Sequence, residues 1–263
     1  SMVILIPVVL SILLFAWRSL KWHKRLLGIL AVGLSITVVI FSQSRGAWLA
    51  LGVAAAGLIM LRWRWGWVVL SGLLGIFILL VMISGSEGMV AALAGEGRLG
   101  SLEGRLEVWS RAVYMIQDFP LTGVGMGTYM EVTDLLYPLF LFVPGTIEHA
   151  HNLFLQVAVD LGIPGAVGWI SILLVVIVVS WRIYQVGSKS GNRWAAGLGA
   201  GLLCSQVALV THGLVDAVTW GMVRPAPLVW AVWGLAAGGA GLFLKRAAGD
   251  QPGSRIPAER TQE

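Results

Sequence analysis

The chain has 263 residues, of which 57% are hydrophobic and 12% are charged. Soluble domains carry roughly 25% charged residues, so this composition excludes a soluble globular enzyme and indicates an all-α polytopic membrane helix bundle. The net charge of +5 lies in short connections between apolar runs. That placement favours a role in membrane orientation over nucleic-acid binding.

Seven apolar runs are close to the length of about 20 residues that a membrane-spanning helix needs. They are residues 2–17, 26–41, 47–61, 65–83, 153–181, 194–215 and 226–244. The first three are short, and we expect them to extend into their flanks. The runs predict about seven spans, with four in residues 1–83, three in residues 151–246, and a disordered cytoplasmic tail over 247–263.

Basic residues cluster in alternate connections between these runs. The clusters are Arg18, Lys21, Lys24 and Arg25; Arg62 and Arg64; Arg182, Lys189 and Arg193; and Lys245 and Arg246. The positive-inside rule assigns their side to the cytoplasm, so 42–46, 84–150 and 216–225 are predicted to be extracytoplasmic. This arrangement puts the first residue outside, and we expect the chain to be the C-terminal part of a longer protein.

The connection over 84–150 is the one large segment between spans, and loops of this length are usually functional. Within it, residues 101–117 carry apolar side chains at helical spacing, which predicts a short amphipathic helix. These side chains are Leu102, Leu106, Trp109, Val113 and Ile116. Pro120 and the glycine-rich run after it predict that the helix ends there and that a turn follows.

Two histidines stand where the large loop enters the next apolar helix, in the sequence Glu148-His149-Ala150-His151-Asn152. Histidine titrates near neutrality, so His151, and to a lesser degree His149, are candidates for acid–base chemistry. A helix-capping role is the structural alternative. The His-x-His spacing also occurs in metal sites, but no cysteine accompanies it, and we predict no metal and no cofactor.

Arginines on the extracytoplasmic side run against the charge rule and are candidates for binding an anion. Arg45 lies between two spans, where its guanidinium must face water, a partner or an anionic ligand. The planar fork of an arginine suits phosphate oxygens. In the large loop, the residue pattern alone does not choose among Arg98, Arg105 and Arg111.

Ionisable residues also occur inside the later apolar runs. His212 and Asp216 are four residues apart, so they are predicted to share a helix face near the outer end of the sixth span. A functional role and a mutually satisfied pair are both open for these two residues. Asp160, eight residues after Asn152, presents the same choice.

The order and spacing of several motifs resemble the O-antigen ligase and O-antigen polymerase family. His151-Asn152 is followed by nine residues, Gly162, two residues and Gly165, as in a ligase signature. The stretches SRGAW at Arg45, GRLEVW at Arg105 and PLTGVGMGTY from Pro120 match the wider family. The resemblance covers roughly residues 40–182.

This resemblance implies a GT-C-like glycosyltransferase of the bacterial inner membrane with its active site facing the periplasm. It would move a glycan from undecaprenyl diphosphate to a hydroxyl of lipid A-core, of another glycan or of a protein, by inversion and without a metal. In the family a loop arginine and the signature histidine are essential. These correspond here to Arg105 and His151, while Arg45, His149, Arg98, His212 and Asp216 are candidates for substrate binding.

A solute transporter is the alternative. Some members of the same family have been described as bicarbonate transporters, and the run THGLVDAVTW followed by RPAP resembles the end of those sequences. Transporters typically show internal repeats and broken helices at mid-membrane. Neither pattern is evident in the sequence, and the candidate polar residues gather at the outer interface instead.

Overall fold

The structure is a computed structural model that describes residues 2–63, 65–68, 71–72, 102–217, 219–220 and 226–244. Its helices, in chain order, are α1 (Met2–Ala16), a 3-10 turn (Trp17–Ser19), α2 (Trp22–Phe41), α3 (Arg45–Arg62), α4 (Leu102–Asp118), α5 (Tyr129–Leu136), α6 (Leu153–Ser190), α7 (Arg193–Gly213) and α8 (Ala226–Gly239), which continues into a π turn (Ala240–Leu244).

Six helical segments in the described residues are long and apolar enough to cross a membrane. They coincide with six of the seven predicted runs, and the first three do extend beyond them, to Met2–Ser19, Trp22–Phe41 and Arg45–Arg62. The all-α membrane bundle is therefore confirmed. Most of the predicted span at 65–83, together with Arg98 and the tail at 247–263, lies outside the described residues.

Helix α7 is the central helix of the bundle, and small residues let its neighbours approach closely. A Cβ added to Gly199 would overlap the backbone of Tyr184 in α6, and one on Gly201 would lie 2.8 Å from Val8 Cα in α1. The Ser205 hydroxyl, also in α7, donates a hydrogen bond to a backbone carbonyl of α1. Small residues and hydroxyls at helix contacts are typical of membrane bundles.

Helix α6 is broken where it leaves the site and enters the bundle. Gly162 has φ 70° and ψ −179°, so residues 153–161 form a short helical segment before the long one. The broken turn frees backbone groups, and the glycine-rich run after Pro120 pairs with them. Val124 N donates to Val159 O, Gly125 N donates to Asp160 O, and Ile163 N donates to Pro120 O.

The large loop forms a small helical unit of its own on this broken end. The predicted helix over 101–117 is present as α4, but its predicted apolar face is wrong in part. Val108, Ala112 and Met115 form the buried face, whereas Leu106 and Val113 are exposed. The core of the unit is shared with α5 and with the start of α6, so tertiary contact selects a neighbouring row of the same helix.

Substitution of Gly162 by alanine is expected to destabilise the protein by roughly 2–4 kcal/mol. This backbone conformation is strongly unfavourable for alanine, and the Cβ of an alanine at position 162 would lie 2.7 Å from the Leu121 carbonyl. Gly168→Ala in the same helix is the matched control, because a Cβ there meets nothing within 4 Å. Thermal unfolding in detergent should show a lower Tm for the first variant alone, and equal Tm values would contradict this account of the break.

Candidate active site

Four segments that are distant in sequence meet at one end of the bundle. They are the turn at 149–152, the end of α7 and the turn after it, the first residues of α3, and the first half of α4. Two histidines, one aspartate and one arginine converge there: His149, His151, Asp216 and Arg105. The packing of α7 against α1, α3 and α6, together with the packing of α4 against α6, brings these segments together.

One carboxylate oxygen of Asp216 lies close to both imidazoles. His151 Nδ1 is 3.8 Å and His149 Nε2 is 4.0 Å from the same oxygen of Asp216. The ring centroids of the two histidines are 4.1 Å apart. Both distances to the carboxylate exceed the length of a hydrogen bond, so the attraction acts through space. In His151 the nitrogen that approaches the carboxylate is therefore Nδ1.

The prediction that His212 and Asp216 share a helix face is wrong. Helix α7 ends at Gly213, so Asp216 lies in the turn beyond it, where its charge acts on His149 and His151 as well as on His212. His212 stays in the last turn of α7, buried beside the start of α3. A Cβ on Gly46 would lie 3.5 Å from His212 Cδ2 and 2.6 Å from Val215 Cγ2. The close packing thus requires a glycine at this point of α3.

The backbone of the histidine turn is held in an uncommon conformation. His151 has φ 47°, in the left-handed region that side chains other than glycine rarely occupy. Asn152 fixes the following helix, because its side-chain oxygen caps α6 by accepting from Phe154 N and Leu155 N. The same amide donates to Leu214 O. Asn152 therefore joins the histidine turn to the end of α7.

A series of hydrogen bonds connects the histidine turn to the first segment of α6 and to Trp220. Ala150 N donates to Gln156 Oε1, and Gln156 Nε2 donates to Asp160. Trp220 Nε1 donates to the other oxygen of Asp160. Asp160 is only 2% exposed, so this network explains why a buried carboxylate is tolerated there. Sequence reasoning missed Gln156 and Trp220, because only the fold brings them to Asp160.

Arg105 is the arginine of the large loop that the structure places at the site. Its Nη1 donates to Val215 O at 2.9 Å, next to Asp216. Arg111, two turns further along α4, instead lies near Glu107 and over the ring of Phe140. The structure therefore separates Arg105 from Arg111, and Arg98 lies outside the described residues.

Arg45 is the first residue of α3, and its neighbour Gly46 packs on the end of α7. The side chain is exposed. The start of a helix already carries partial positive charge from its backbone amides, so a guanidinium there adds to a positive field. Such a position favours an anionic ligand.

Both histidines are biased toward their neutral forms. Burial lowers the pKa of His149, against the opposing pull of Asp216 and Glu148. Burial, with smaller contributions from the charges of His149 and Arg105, lowers the pKa of His151 to about 4, against the opposing effect of Asp216. A neutral imidazole at pH 7 can accept a proton, which is what a general base requires.

The same three side chains could also hold a divalent cation. His149, His151 and Asp216 each offer one ligand atom, and these atoms all lie within 4.8 Å of one another. Three protein ligands with an open fourth position are typical of catalytic zinc sites. Asp216 thus supplies the third ligand that the His-x-His spacing alone did not provide.

The fold and the site define a class of protein: a polytopic membrane protein with a histidine–aspartate–arginine cluster at one end of its bundle. A model of the O-antigen ligase family matches residues 30–170, more than half of the chain. The chain belongs to this family, and the family indicates a membrane glycan ligase or polymerase. Comparison with curated proteins finds no match.

The His151 imidazole is expected to titrate near pH 4 rather than near 6.5. Because the folded pKa lies below the unfolded one, the native state binds fewer protons between these values. The contribution of His151 to stability is therefore lost as the pH falls through this window. The pH dependence of the ¹³Cε1 shift, assigned with His151→Gln, measures the pKa.

Asp216→Asn should lower the midpoint of His151 further, because it removes the carboxylate that raises this pKa. A midpoint at or above 6.5 for His151 would contradict the burial and charge arrangement described for the site.

Proposed function

We propose that the protein transfers a glycan from a polyprenyl diphosphate, of the undecaprenyl type, to an acceptor hydroxyl at the periplasmic face of the inner membrane. The observation that carries the proposal is the convergence of His151 and Asp216 with Arg105 in a chain of the O-antigen ligase family. One residue set then supplies a base, its carboxylate partner and a cation for the leaving group.

His151 is the proposed general base. Asp216 lies 3.8 Å from Nδ1 of its ring, so the negative charge of the carboxylate favours a proton on Nδ1 and a free lone pair on Nε2. The lowered pKa of His151 keeps that lone pair available at neutral pH. Imidazolium formed during the reaction is then stabilised by the nearby carboxylate.

Arg105 and Arg45 are the proposed contacts of the donor diphosphate. Negative charge grows on the phosphate oxygen as its bond to the sugar breaks, and fixed cations stabilise such charge. Arg105 is held to the turn before Asp216, while Arg45 adds its charge to the N-terminus of α3. Both groups lie on segments that border His212 or Asp216.

The proposed step is a single displacement at the anomeric carbon. The acceptor oxygen forms a bond to this carbon while its proton passes to His151 Nε2. The bond from the carbon to the phosphate oxygen breaks on the opposite face, and polyprenyl diphosphate leaves with the electron pair. This step inverts the configuration. It needs no metal ion, because diphosphate is already a good leaving group and the arginines offset its charge.

An apolar groove beside the site is the proposed place for the prenyl chain. It has a volume of about 390 Å³, and Met126, Leu161, Trp169, Trp220 and Trp230 are among its lining residues. Trp220 also donates the hydrogen bond to Asp160. The groove therefore shares this residue with the hydrogen-bond network next to the histidine turn. Burial of an isoprenoid there is favoured by its apolar surface.

The transporter alternative receives no support from the family match. Ligase and polymerase chemistry differ in the acceptor, which is lipid A-core, a glycan or a protein. The proposed base and leaving-group contacts serve each of these acceptors in the same way.

His151→Ala and Arg105→Ala are each expected to lower glycan transfer by at least about 100-fold, the usual scale for a general base or for one electrostatic contact in the transition state. The assay uses a fluorescent undecaprenyl-diphosphate oligosaccharide in nanodiscs, with bacterial membranes as the source of acceptor. EDTA is present in one arm, and transfer there is expected to equal transfer without it.

Arg111→Ala is the matched control for Arg105→Ala, because it removes a guanidinium from the same helix away from the histidines. His23→Ala, at an exposed position of α2, is the control for His151→Ala. Both controls are expected to keep transfer near the wild-type rate. Retained transfer in His151→Ala at normal protein levels would overturn the base assignment, and loss of transfer in EDTA would favour the cation site.

A further inference from the structure

Three arginines from three different helical segments line one pocket at the opposite end of the bundle. Arg18 follows α1, Arg62 ends α3, and Arg193 begins α7. The pocket has a volume of about 470 Å³, and Leu14, Phe15 and Trp17 complete its lining. This volume is within the usual range of ligand sites, about 300–1,000 Å³.

The position of the pocket in the bundle is set by α3. That helix begins at the candidate active site and ends at the pocket, over 18 residues. At a rise of 1.5 Å per residue its length is about 27 Å, close to the thickness of a hydrocarbon core. The pocket therefore lies at the level of the headgroups of the opposite leaflet.

The arginines of the pocket have no carboxylate partner among the described residues. In that part of the chain the ion pairs within 4.0 Å involve only Arg111, His149 and His151. Arg62 is positioned by other means, since its Nε donates to Leu14 O and its guanidinium lies over the rings of Phe15 and Trp63. Its charge is thus held in place without being neutralised by the described carboxylates.

Arg193 is placed where a helix disfavours a cation. It is the first residue of α7, beside the partial positive charge of the helix N-terminus, and no acidic residue occurs in that first turn. Three like charges around one pocket repel each other, and repulsion is relieved when an anion binds between them. Arginines that only orient a helix in the membrane can extend separately to the interface, so that role does not explain why three of them line one pocket.

We propose that this pocket binds the phosphate of an anionic phospholipid headgroup. The guanidinium groups bind the phosphate oxygens, for which their geometry is suited. The apolar lining contacts the start of the acyl chains, as in basic pockets between transmembrane helices that take acidic lipids. The bound lipid then joins the ends of α1, α3 and α7. A soluble phosphate would share the same polar contacts but would leave the apolar lining unused.

The test measures lipid retained by the full chain. The protein is reconstituted in phosphatidylcholine nanodiscs containing a minor fraction of phosphatidylglycerol, released into mild detergent, and analysed by native mass spectrometry. Wild type is expected to keep phosphatidylglycerol. The triple variant Arg18→Gln, Arg62→Gln, Arg193→Gln is expected to bind it roughly 100-fold more weakly, the effect of three basic contacts.

The matched control is Lys21→Gln, Lys24→Gln, Lys189→Gln, which removes equal charge from positions near the same end that are not among the lining residues of the pocket. It is expected to retain the lipid. Equal loss in both triple variants would overturn the proposal and assign the binding to net charge. Should the pocket triple variant unfold, Arg193→Gln alone is expected to weaken binding several-fold, and unchanged binding by this folded variant would overturn the proposal.

A third arm separates the two sources of phosphate. Inorganic pyrophosphate is titrated onto delipidated wild type and onto the pocket triple variant. If pyrophosphate binds wild type weakly or not at all, and does not displace phosphatidylglycerol, the result supports the lipid as the ligand. Tight binding by wild type that displaces phosphatidylglycerol and is lost in the triple variant would overturn the lipid assignment in favour of a soluble anion.

Discussion

The break in α6 at Gly162 is the constraint on which the candidate active site depends. Backbone groups freed at a membrane boundary must find partners, because lipid offers none. The turn after Pro120 supplies them, through Val124 and Gly125 to the carbonyls of the broken end. The large loop is thereby attached to the helix that carries Gln156 and Asp160. The histidine turn, the loop helix α4 and the bundle hence form one body.

Helix α7 connects the candidate active site at one end of the bundle to the arginine-lined pocket at the other. Its glycines permit close contact with α1 and α6, and its two ends carry different chemistry. One end leads into the turn with Asp216, beside the histidines. The other begins at Arg193, in the arginine-lined pocket. Packing that fixes the axis of α7 fixes both sites, so a lipid bound at one end would stabilise the helix that positions the other.

Charge and burial oppose each other in the proposed chemistry, and the balance suits a base. Asp216 favours a charged imidazole, whereas burial and the cations around it favour a neutral one, and burial has the larger effect on His151. The strained φ of His151 is offset by hydrogen bonds from Ala150 and Asn152. Such local strain is tolerated where surrounding contacts over-determine the conformation, as they do here.

The sequence by itself determined the membrane bundle and the approximate positions of its described spans, because apolar runs and their basic flanks act locally. It predicted the loop helix but misplaced its buried face, since contact with α5 selects the row through Val108 and Met115. Only the tertiary structure decided that Asp216 faces His149 and His151 and that Arg105 joins them. Those contacts join residues far apart in the chain, and no local spacing encodes them.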